Sequence, residues 1–445
     1  MQHHKISLVP ALVSAIFSIN ANALEPLPAL NIEPSKVTIS GISSGGYMAQ
    51  QMHIAYSDIF SAAAIIAGGP FYCAENNIGL ALTRCMKPEP NNQPNVARLK
   101  SITETFDAFG DIAPTDNLYN DRVWIFSSAD DSVVLQAVSD SLNAYYAEFI
   151  QPKNMRYVSS VGGEHSMPTD SFGYPCDYLG KSSNPDDHFI NNCGYDTAGE
   201  LLAYSYKHIK RPKTSASAGR LIQFDQENFL PEPTQHGLSQ YGYAYIPEAC
   251  DIKENGKASK CKLHIALHGC LQSADRIGNV FVENAGYNDW AERNRIVVLY
   301  PQATATLQQG NGNGCWDWWG YDDNEYATRF GNQTTAIMAM VDQVTANSTD
   351  NAPAAPPSKL TINIDQLGKV QLGWEHQQGV AGYAVYRSSE KDGPYYLVSA
   401  DVVLENSFAI VQQPATQAYY MVLSVEADGS EGLPSKELAI SIPGI

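Results

Sequence analysis

The sequence predicts two folded units of different class. Residues 24–346 read as an α/β unit with a mostly parallel sheet flanked by helices, and residues 359–445 as an all-β sandwich. Three observations carry this. From Leu24 to about Ala346, short β-branched runs alternate with longer stretches of helical pattern, as in successive βα units. Residues 347–358 are rich in Asn, Ala and Pro, the composition of an extended linker. Beyond it the runs are short and alternating, with turn residues between them and no helical stretch, as in a sandwich of roughly 90 residues.

At the N-terminus, His3, His4 and Lys5 precede an apolar stretch from Ile6 to about Ile19, and Ala21-Asn22-Ala23 supplies small residues for cleavage. Residues 1–23 therefore read as an export signal, with the mature chain beginning near Leu24 and the protein secreted. The apolar stretch is shorter than a bilayer span and is interrupted by Pro10 and Ser14, so no integral membrane segment is expected after signal removal. The net charge of −19 argues against nucleic acid as a partner, because phosphate contact needs a concentrated Lys/Arg surface. Nothing in the sequence fixes the oligomeric state.

Strands are expected at Val37–Ser40, Ala62–Ala67, Val123–Ser127, Arg156–Ser160, Leu263–Leu267 and Ile296–Tyr300. Helices are expected at Gly46–Ala55, Leu135–Phe149, Ala198–Ile209, Asn284–Arg293 and Thr334–Val344. In the sandwich the clearest strands are Leu360–Ile364, Val370–Trp374, Gly382–Ser388 and Tyr419–Glu426. The eight cysteines form an even set in a chain that carries an export signal, which suits a disulfide framework. Many connectivities are open to eight cysteines. Taken in chain order they pair as Cys73 with Cys85, Cys176 with Cys193, Cys250 with Cys261, and Cys270 with Cys315. No Cys-x-x-Cys pair or Cys/His cluster has zinc-ligand spacing, so no metal is expected.

Gly41-Ile42-Ser43-Ser44-Gly45 lies between the run Val37–Ser40 and a helical stretch. That is the strand-turn-helix setting of a nucleophile elbow, and it makes Ser43 the candidate nucleophile. Five residues alone also fit an ordinary glycine-rich turn. A serine hydroxyl is a weak nucleophile at neutral pH and needs a base oriented by a carboxylate, so the elbow reading demands two partners. His165 follows the Arg156–Ser160 run in Gly162-Gly163-Glu164-His165, on a loop after a late strand, where α/β-hydrolases carry the base. The loop after Val123–Ser127 contains Asp130 and Asp131, either of which could serve; Ser128-x-x-Asp131-x-x-Val134 resembles the hydrolase pattern Gly-x-x-Asp-x-x-Val with Ser128 in place of glycine, and that resemblance selects Asp131, leaving Asp130 as a solvated neighbour. The chain order Ser43, Asp131, His165 is the order of α/β-hydrolases. For the oxyanion, one donor is the amide after the nucleophile, Ser44, and the other is assigned to the Cys270 amide in the turn His268-Gly269-Cys270. His268 is read as shaping that turn. His53, on the helix leaving the elbow, is read as a packing or solvent residue.

The segments Gly41-Ile42-Ser43-Ser44-Gly45-Gly46-Tyr47-Met48, Ala266-Leu267-His268-Gly269-Cys270-Leu271-Gln272, Tyr300-Pro301-Gln302 and Gly314-Cys315-Trp316-Asp317-Trp318 resemble extracellular poly(3-hydroxybutyrate) depolymerases. The resemblance covers nearly all of Leu24 to about Ala346. Here the elbow precedes the His-Gly-Cys strand, the reverse of most such esterases, which resembles the circularly permuted, single-domain α/β-hydrolases of fungal type. Their serine, aspartate and histidine match Ser43, Asp131 and His165, and their paired cysteines match the pairing above. The pieces Val370–Trp374, Gly382–Arg387 and Tyr420–Val425 resemble strands B, C and F of fibronectin type III domains. A terminal sandwich departs from the single-domain relatives, and it is read as a spacer, an accessory surface-binding module or a structural tail.

The resemblance implies a serine carboxylic-ester hydrolase acting on a hydrophobic polyester through an acyl-enzyme, without metal or organic cofactor. Trp316, Trp318 and Trp319, beside the expected Cys270 bridge, are candidates to line an apolar slot for methyl-bearing units. Two rivals stand beside this reading. An elbow and triad also fit a secreted feruloyl, acetylxylan or short-chain carboxylesterase; a noncatalytic surface adhesion protein would make the sandwich the working part.

Overall fold

Runs such as Ala62-Ala63-Ala64-Ile65-Ile66 and Ile296-Val297-Val298-Leu299-Tyr300 are apolar at every position because both faces of their sheet are covered. The computed structural model describes residues 24–213, 218–251, 259–346, 354–364, 370–388, 391, 395–399, 402–410, 417–426 and 431–441. The export signal and residues 347–353 of the expected linker lie outside the described residues. The central sheet has eight strands: β1 (Ile32–Ile42), β2 (Ala62–Ile66), β3 (Arg122–Phe126), β4 (Met155–Val158), β5 (Arg220–Asp225), β6 (Tyr241–Ile246), β7 (Cys261–Leu267) and β8 (Ile296–Tyr300). Their spatial order is β4-β3-β2-β1-β7-β8-β6-β5. The six strands from β4 to β8 run parallel, and β6 and β5 add an antiparallel edge that the sequence reading did not anticipate.

The strand that leads into the His268 turn therefore lies beside the strand that leads into the elbow, with Gly41 opposite Leu267, although they are far apart in the chain. Two apolar layers cover the sheet. One contains Ile39, Met48, Met52, Val123, Leu263 and Val341; the other contains Ile42, Tyr47, Trp124, Phe126, Trp290 and Tyr300. Helix α1 (Ser44–Ala55) is buried at all its positions, so it shows no polar face.

Two expected helices are broken by single left-handed residues. Ala198–Ile209 divides at Lys207 (φ 63°) into the helix Thr197–Tyr206 and the short strand His208–Ile209. Asn284–Arg293 divides at Gly286 (φ 93°), which separates Val280–Asn284 from Tyr287–Asn294. The four disulfides join the cysteines in chain order, as expected. The Cys270–Cys315 bridge spans 45 residues, and constraining a loop of that length in the unfolded chain stabilises by on the order of 4 kcal/mol.

The C-terminal unit is antiparallel throughout its own strand pairs, and Leu372, Trp374, Tyr383, Val385, Tyr420 and Val422 form its core. It is docked on the α/β unit. Tyr395 and Tyr396 pair in parallel with His208 and Ile209, and the Lys210 ammonium meets the Glu431 carboxylate at 2.9 Å. This contact lies by Lys36, Arg122, Lys262 and Arg295, at the N-terminal ends of the parallel strands.

Candidate active site

Ser43 is the only residue between the last residue of β1 and the first of α1, so the chain must reverse within one residue. It does so with φ 56° and ψ −124°, a conformation that costs a non-glycine residue on the order of 1–3 kcal/mol. The turn is held by the Ser43 amide donating to Ile66 O (2.9 Å) and the Tyr47 amide donating to Ser43 O (3.0 Å). The glycines are required by space. A Cβ on Gly41 would stand 2.1 Å from Gly45 O, and one on Gly45 would stand 2.3 Å from His268 O. Strand β7 thus packs directly on the elbow.

Asp131 and His165 are brought together from the loops after β3 and β4. Asp131 Oδ2 and His165 Nδ1 are 2.7 Å apart, and both side chains are buried. Asp131 Oδ1 accepts from the amides of Val133 (2.8 Å) and Val134 (2.9 Å), so the carboxylate cannot turn away. With Nδ1–H directed at the carboxylate, Nε2 carries the lone pair a general base needs. Ser43 lies at the same, C-terminal end of the parallel strands. Among the described residues no hydrogen bond joins its hydroxyl to His165. Such bonds are often long before substrate binds.

The loop that carries His165 is tied to the loop that carries Asp131 by Glu164 and Asp130. Glu164 Oε2 accepts from the Ser132 amide (3.1 Å), the Ser132 hydroxyl (3.0 Å) and the His165 amide (3.2 Å). Asp130, expected only as a solvated neighbour, is exposed but also accepts from the Gly163 amide at 3.3 Å. Beneath Gly163 sits the Cys176–Cys193 bridge, so close that a Cβ there would lie 2.5 Å from Cys176 Sγ. Nothing in local sequence pattern marks Glu164; its role arises from contact across 32 residues.

The amides of Ser44 and Cys270 donate to no protein partner among the described residues, and both residues line the cleft at Ser43. Ser44 opens α1, so its free N–H belongs to the positive end of the helix dipole. The turn at Cys270 is fixed on all sides. Gly269 N donates to Gln272 Oε1 (2.8 Å), Leu271 N donates to Asn313 O (2.7 Å), and Cys270 is bonded to Cys315. A pair of preorganised, unbonded N–H groups beside a serine is the arrangement that stabilises a developing oxyanion. His268 shapes this turn, as expected: its Nε2 accepts from the Ala303 amide (3.0 Å), and burial holds its pKa down to about 4. His53 packs in the core against the Tyr146 hydroxyl (3.0 Å) and Asp121 (3.3 Å).

The cleft encloses about 260 Å3, and its walls are mainly apolar, with Tyr47, Ile78, Leu82, Trp318 and Trp319 among them. Trp318 stacks on Tyr47 with centroids 4.0 Å apart and planes at 14°. Trp316 does not reach it. That ring is fully buried and donates from Nε1 to His268 O (2.9 Å), so it supports the His268-Gly269-Cys270 turn and corrects the expectation of a substrate contact. The tryptophan segment is shaped by Asp317, whose buried carboxylate accepts amides of residues 319–323, including Gly320 (2.7 Å), Tyr321 (3.0 Å) and Asp322 (3.0 Å). Burial raises its pKa to about 6 even though these amides pull the other way. Among the described residues, no group of three or more His, Cys, Asp or Glu side chains is placed to hold a metal ion, and no helix is long and apolar enough to cross a membrane.

No family model matches the chain. A poly(3-hydroxybutyrate) depolymerase of Delftia acidovorans is 38% identical over 424 residues, which cover 94% of this chain and 81% of that one. A polyhydroxybutyrate depolymerase of Talaromyces funiculosus is 35% identical over 332 residues, covering 72% of this chain and 93% of the relative. Among solved structures, a PHB depolymerase from Penicillium funiculosum superimposes with a TM-score of 0.64 at 32% identity, covering 73% of this chain and 100% of its own. A serine-to-alanine variant of a PHB depolymerase, complexed with an R3HB trimer, matches with the same TM-score of 0.64.

Proposed function

The chain belongs to the poly(3-hydroxybutyrate) depolymerase family of serine ester hydrolases, and we propose from that premise that it hydrolyses poly(3-hydroxybutyrate) and its oligomers with Ser43, His165 and Asp131 as catalytic residues. The observation that carries the residue assignment is the Asp131–His165 contact of 2.7 Å, anchored by two further amides and set at the strand ends where the strained Ser43 turn lies. His165 Nε2 takes the Ser43 proton as Oγ attacks the ester carbonyl, and the Ser44 and Cys270 amides receive the negative charge on the carbonyl oxygen. The alcohol end of the polymer leaves with the proton from His165. Water, deprotonated by the same imidazole, then releases the 3-hydroxyacyl group as a carboxylate. Asp131 holds the ring and stabilises its cationic form.

The apolar walls at Tyr47, Trp318 and Trp319 suit a methyl-bearing aliphatic acyl unit. An enzyme for feruloyl or acetylxylan esters remains the rival for the same triad. The purified protein is to be assayed on poly(3-hydroxybutyrate) films, p-nitrophenyl butyrate and feruloyl esters. Hydrolysis of the first two with little of the third is expected; hydrolysis of feruloyl esters alone would reject the polyester reading. Export of the mature chain from Leu24 is part of the proposal, supported by the leader pattern and by four disulfides that an oxidising compartment favours.

A further inference from the structure

His165 stands on the loop after β4 and the Cys270 amide on the turn after β7, far apart in the chain. Proton transfer and oxyanion stabilisation act on one tetrahedral centre, so the placement of base and donor relative to each other must be held. A single buried side chain joins the two segments. Gln272 is 1% exposed, and its carboxamide is bonded to both.

On one side, Gln272 Oε1 accepts from the Gly269 amide at 2.8 Å, directly before the Cys270 amide. Gly269 also lies against the nucleophile, since a Cβ there would stand 3.2 Å from Ser43 Cβ. On the other side, Gln272 Nε2 donates to His188 O and Phe189 O, both at 3.0 Å. Phe189 O accepts in addition from the Met167 amide at 2.9 Å, two residues beyond His165. The short strand Met167–Thr169, which leaves His165, pairs in parallel with Ile190–Asn192, so the segment that Gln272 holds is the one on which the histidine loop is seated. The turn that Gln272 closes needs such support. Leu271 lies at φ 65°, a left-handed conformation that a non-glycine residue keeps only when its surroundings impose it.

We propose that Gln272 is a positioning residue for ester hydrolysis: it fixes the Cys270 amide relative to His165 by bonding Gly269 on one side and the His188 and Phe189 carbonyls on the other. The proposal rests on the assignment of Ser43, Asp131 and His165 above. Gln272 is not among the residues that line the cleft, so it acts through the turn and the loop and not on substrate. The bond between oxyanion and donor strengthens as the carbonyl oxygen becomes charged, which places the effect of Gln272 in kcat and leaves KM nearly untouched. A carboxamide suits this position because it offers an acceptor and two donors on one uncharged planar group. A glutamate carboxylate offers no donor, and methionine fills the space with neither.

The test compares the full mature chain with Gln272→Met, Gln272→Glu and Gln272→Asn on p-nitrophenyl butyrate, well below the melting temperature of each. Gln272→Met should lower kcat by about a hundredfold with KM within about twofold of the parent, the order of effect of a misplaced oxyanion donor. Gln272→Glu keeps the acceptor for Gly269 but loses the link to His188 and Phe189, and a loss of about tenfold or more is expected. Inhibition by an alkyl trifluoromethyl ketone gives a readout that lower stability alone does not move. Ser43 Oγ adds to the ketone carbon, the hydroxyl proton passes to His165, and the ketone oxygen takes the oxyanion position, so Ki should rise in each variant by the factor by which kcat/KM falls. If Gln272→Met does not fold, Gln272→Asn decides with the same two readouts, since it keeps the amide but is one methylene too short to reach both sides. Folded variants with the kcat and Ki of the parent would overturn the proposal. A rise in KM alone would also overturn it, because it would place Gln272 in substrate binding. Ser43→Ala separates the two readings: hydrolysis surviving there rejects the triad, whereas hydrolysis lost there but undiminished in the Gln272 variants rejects only the positioning role.

Discussion

The positions of Ser43, Asp131 and His165 are set by neighbours outside the proposed triad. Glu164 is the clearest of these. Its single oxygen bridges Ser132, next to the acid, and the amide of His165 itself. Glu164→Ala should therefore lower kcat on p-nitrophenyl butyrate by about tenfold to a hundredfold with KM little changed, because misplacing a reacting group by about 1 Å costs up to that much. Glu164→Gln keeps an acceptor and should restore most of the rate. Equal kcat in parent and Glu164→Ala would remove the positioning role. Asp131→Asn keeps the shape but reverses the hydrogen-bond demand on Nδ1, and a loss of about 10^4 in kcat is expected. At this scale the sequence was legible where a residue's type and local spacing are enough: the serine between glycines, the aspartate three residues before Val134, and the histidine after a late strand. Glu164 and Asp317 were not, since any surface Glu or Asp looks the same until a distant backbone folds against it.

The elements were legible for the same kind of reason. Apolar runs buried on both faces gave β2, β3 and β8 to within a residue or so, whereas the break of a helix at Lys207 depends on one left-handed residue that is not glycine. The elbow is the element under most constraint. Gly45→Ala drives a methyl group onto the His268 and Leu267 carbonyls, and since these are backbone atoms at and just past the end of β7 they cannot swing aside. A loss of about 3 kcal/mol in denaturant unfolding, or failure to fold, is expected; a melt unchanged from the parent would contradict the packing described. The tryptophan segment carries a pH signature. Asp317 has its folded pKa raised to about 6 from an ordinary value of 3.8, so between these values the folded protein holds a proton that the unfolded chain has released. Its contribution is present in full below about pH 4 and is lost as pH rises towards 6. Asp317→Asn should flatten the fall of unfolding free energy over that window, and an identical slope in parent and variant would count against the buried titration.

For the whole molecule, the sandwich is docked at the N-terminal ends of the parallel strands, away from Ser43. The sequence read this unit as spacer, accessory binder or tail; its composition shift and linker suggest a boundary near 347–358 but say nothing of the docking, which rests on single contacts such as Glu431 with Lys210. A chain ending after Ala346 should keep hydrolysis of p-nitrophenyl butyrate and lose several degrees in Tm, because Lys210, Lys262 and the His208–Ile209 strand lose their partners. If adsorption to polymer granules is also kept, the sandwich has no part in surface binding; a Tm equal to that of the full chain would contradict the docking.

The central claim is that Ser43 is the nucleophile of a polyester hydrolase. The most direct measurement is the release of 3-hydroxybutyrate units from poly(3-hydroxybutyrate) by the parent and by Ser43→Ala, purified alike and shown to melt alike. Release by the parent and a loss of about 10^3-fold or more in the variant are expected. Comparable release by Ser43→Ala would contradict that claim.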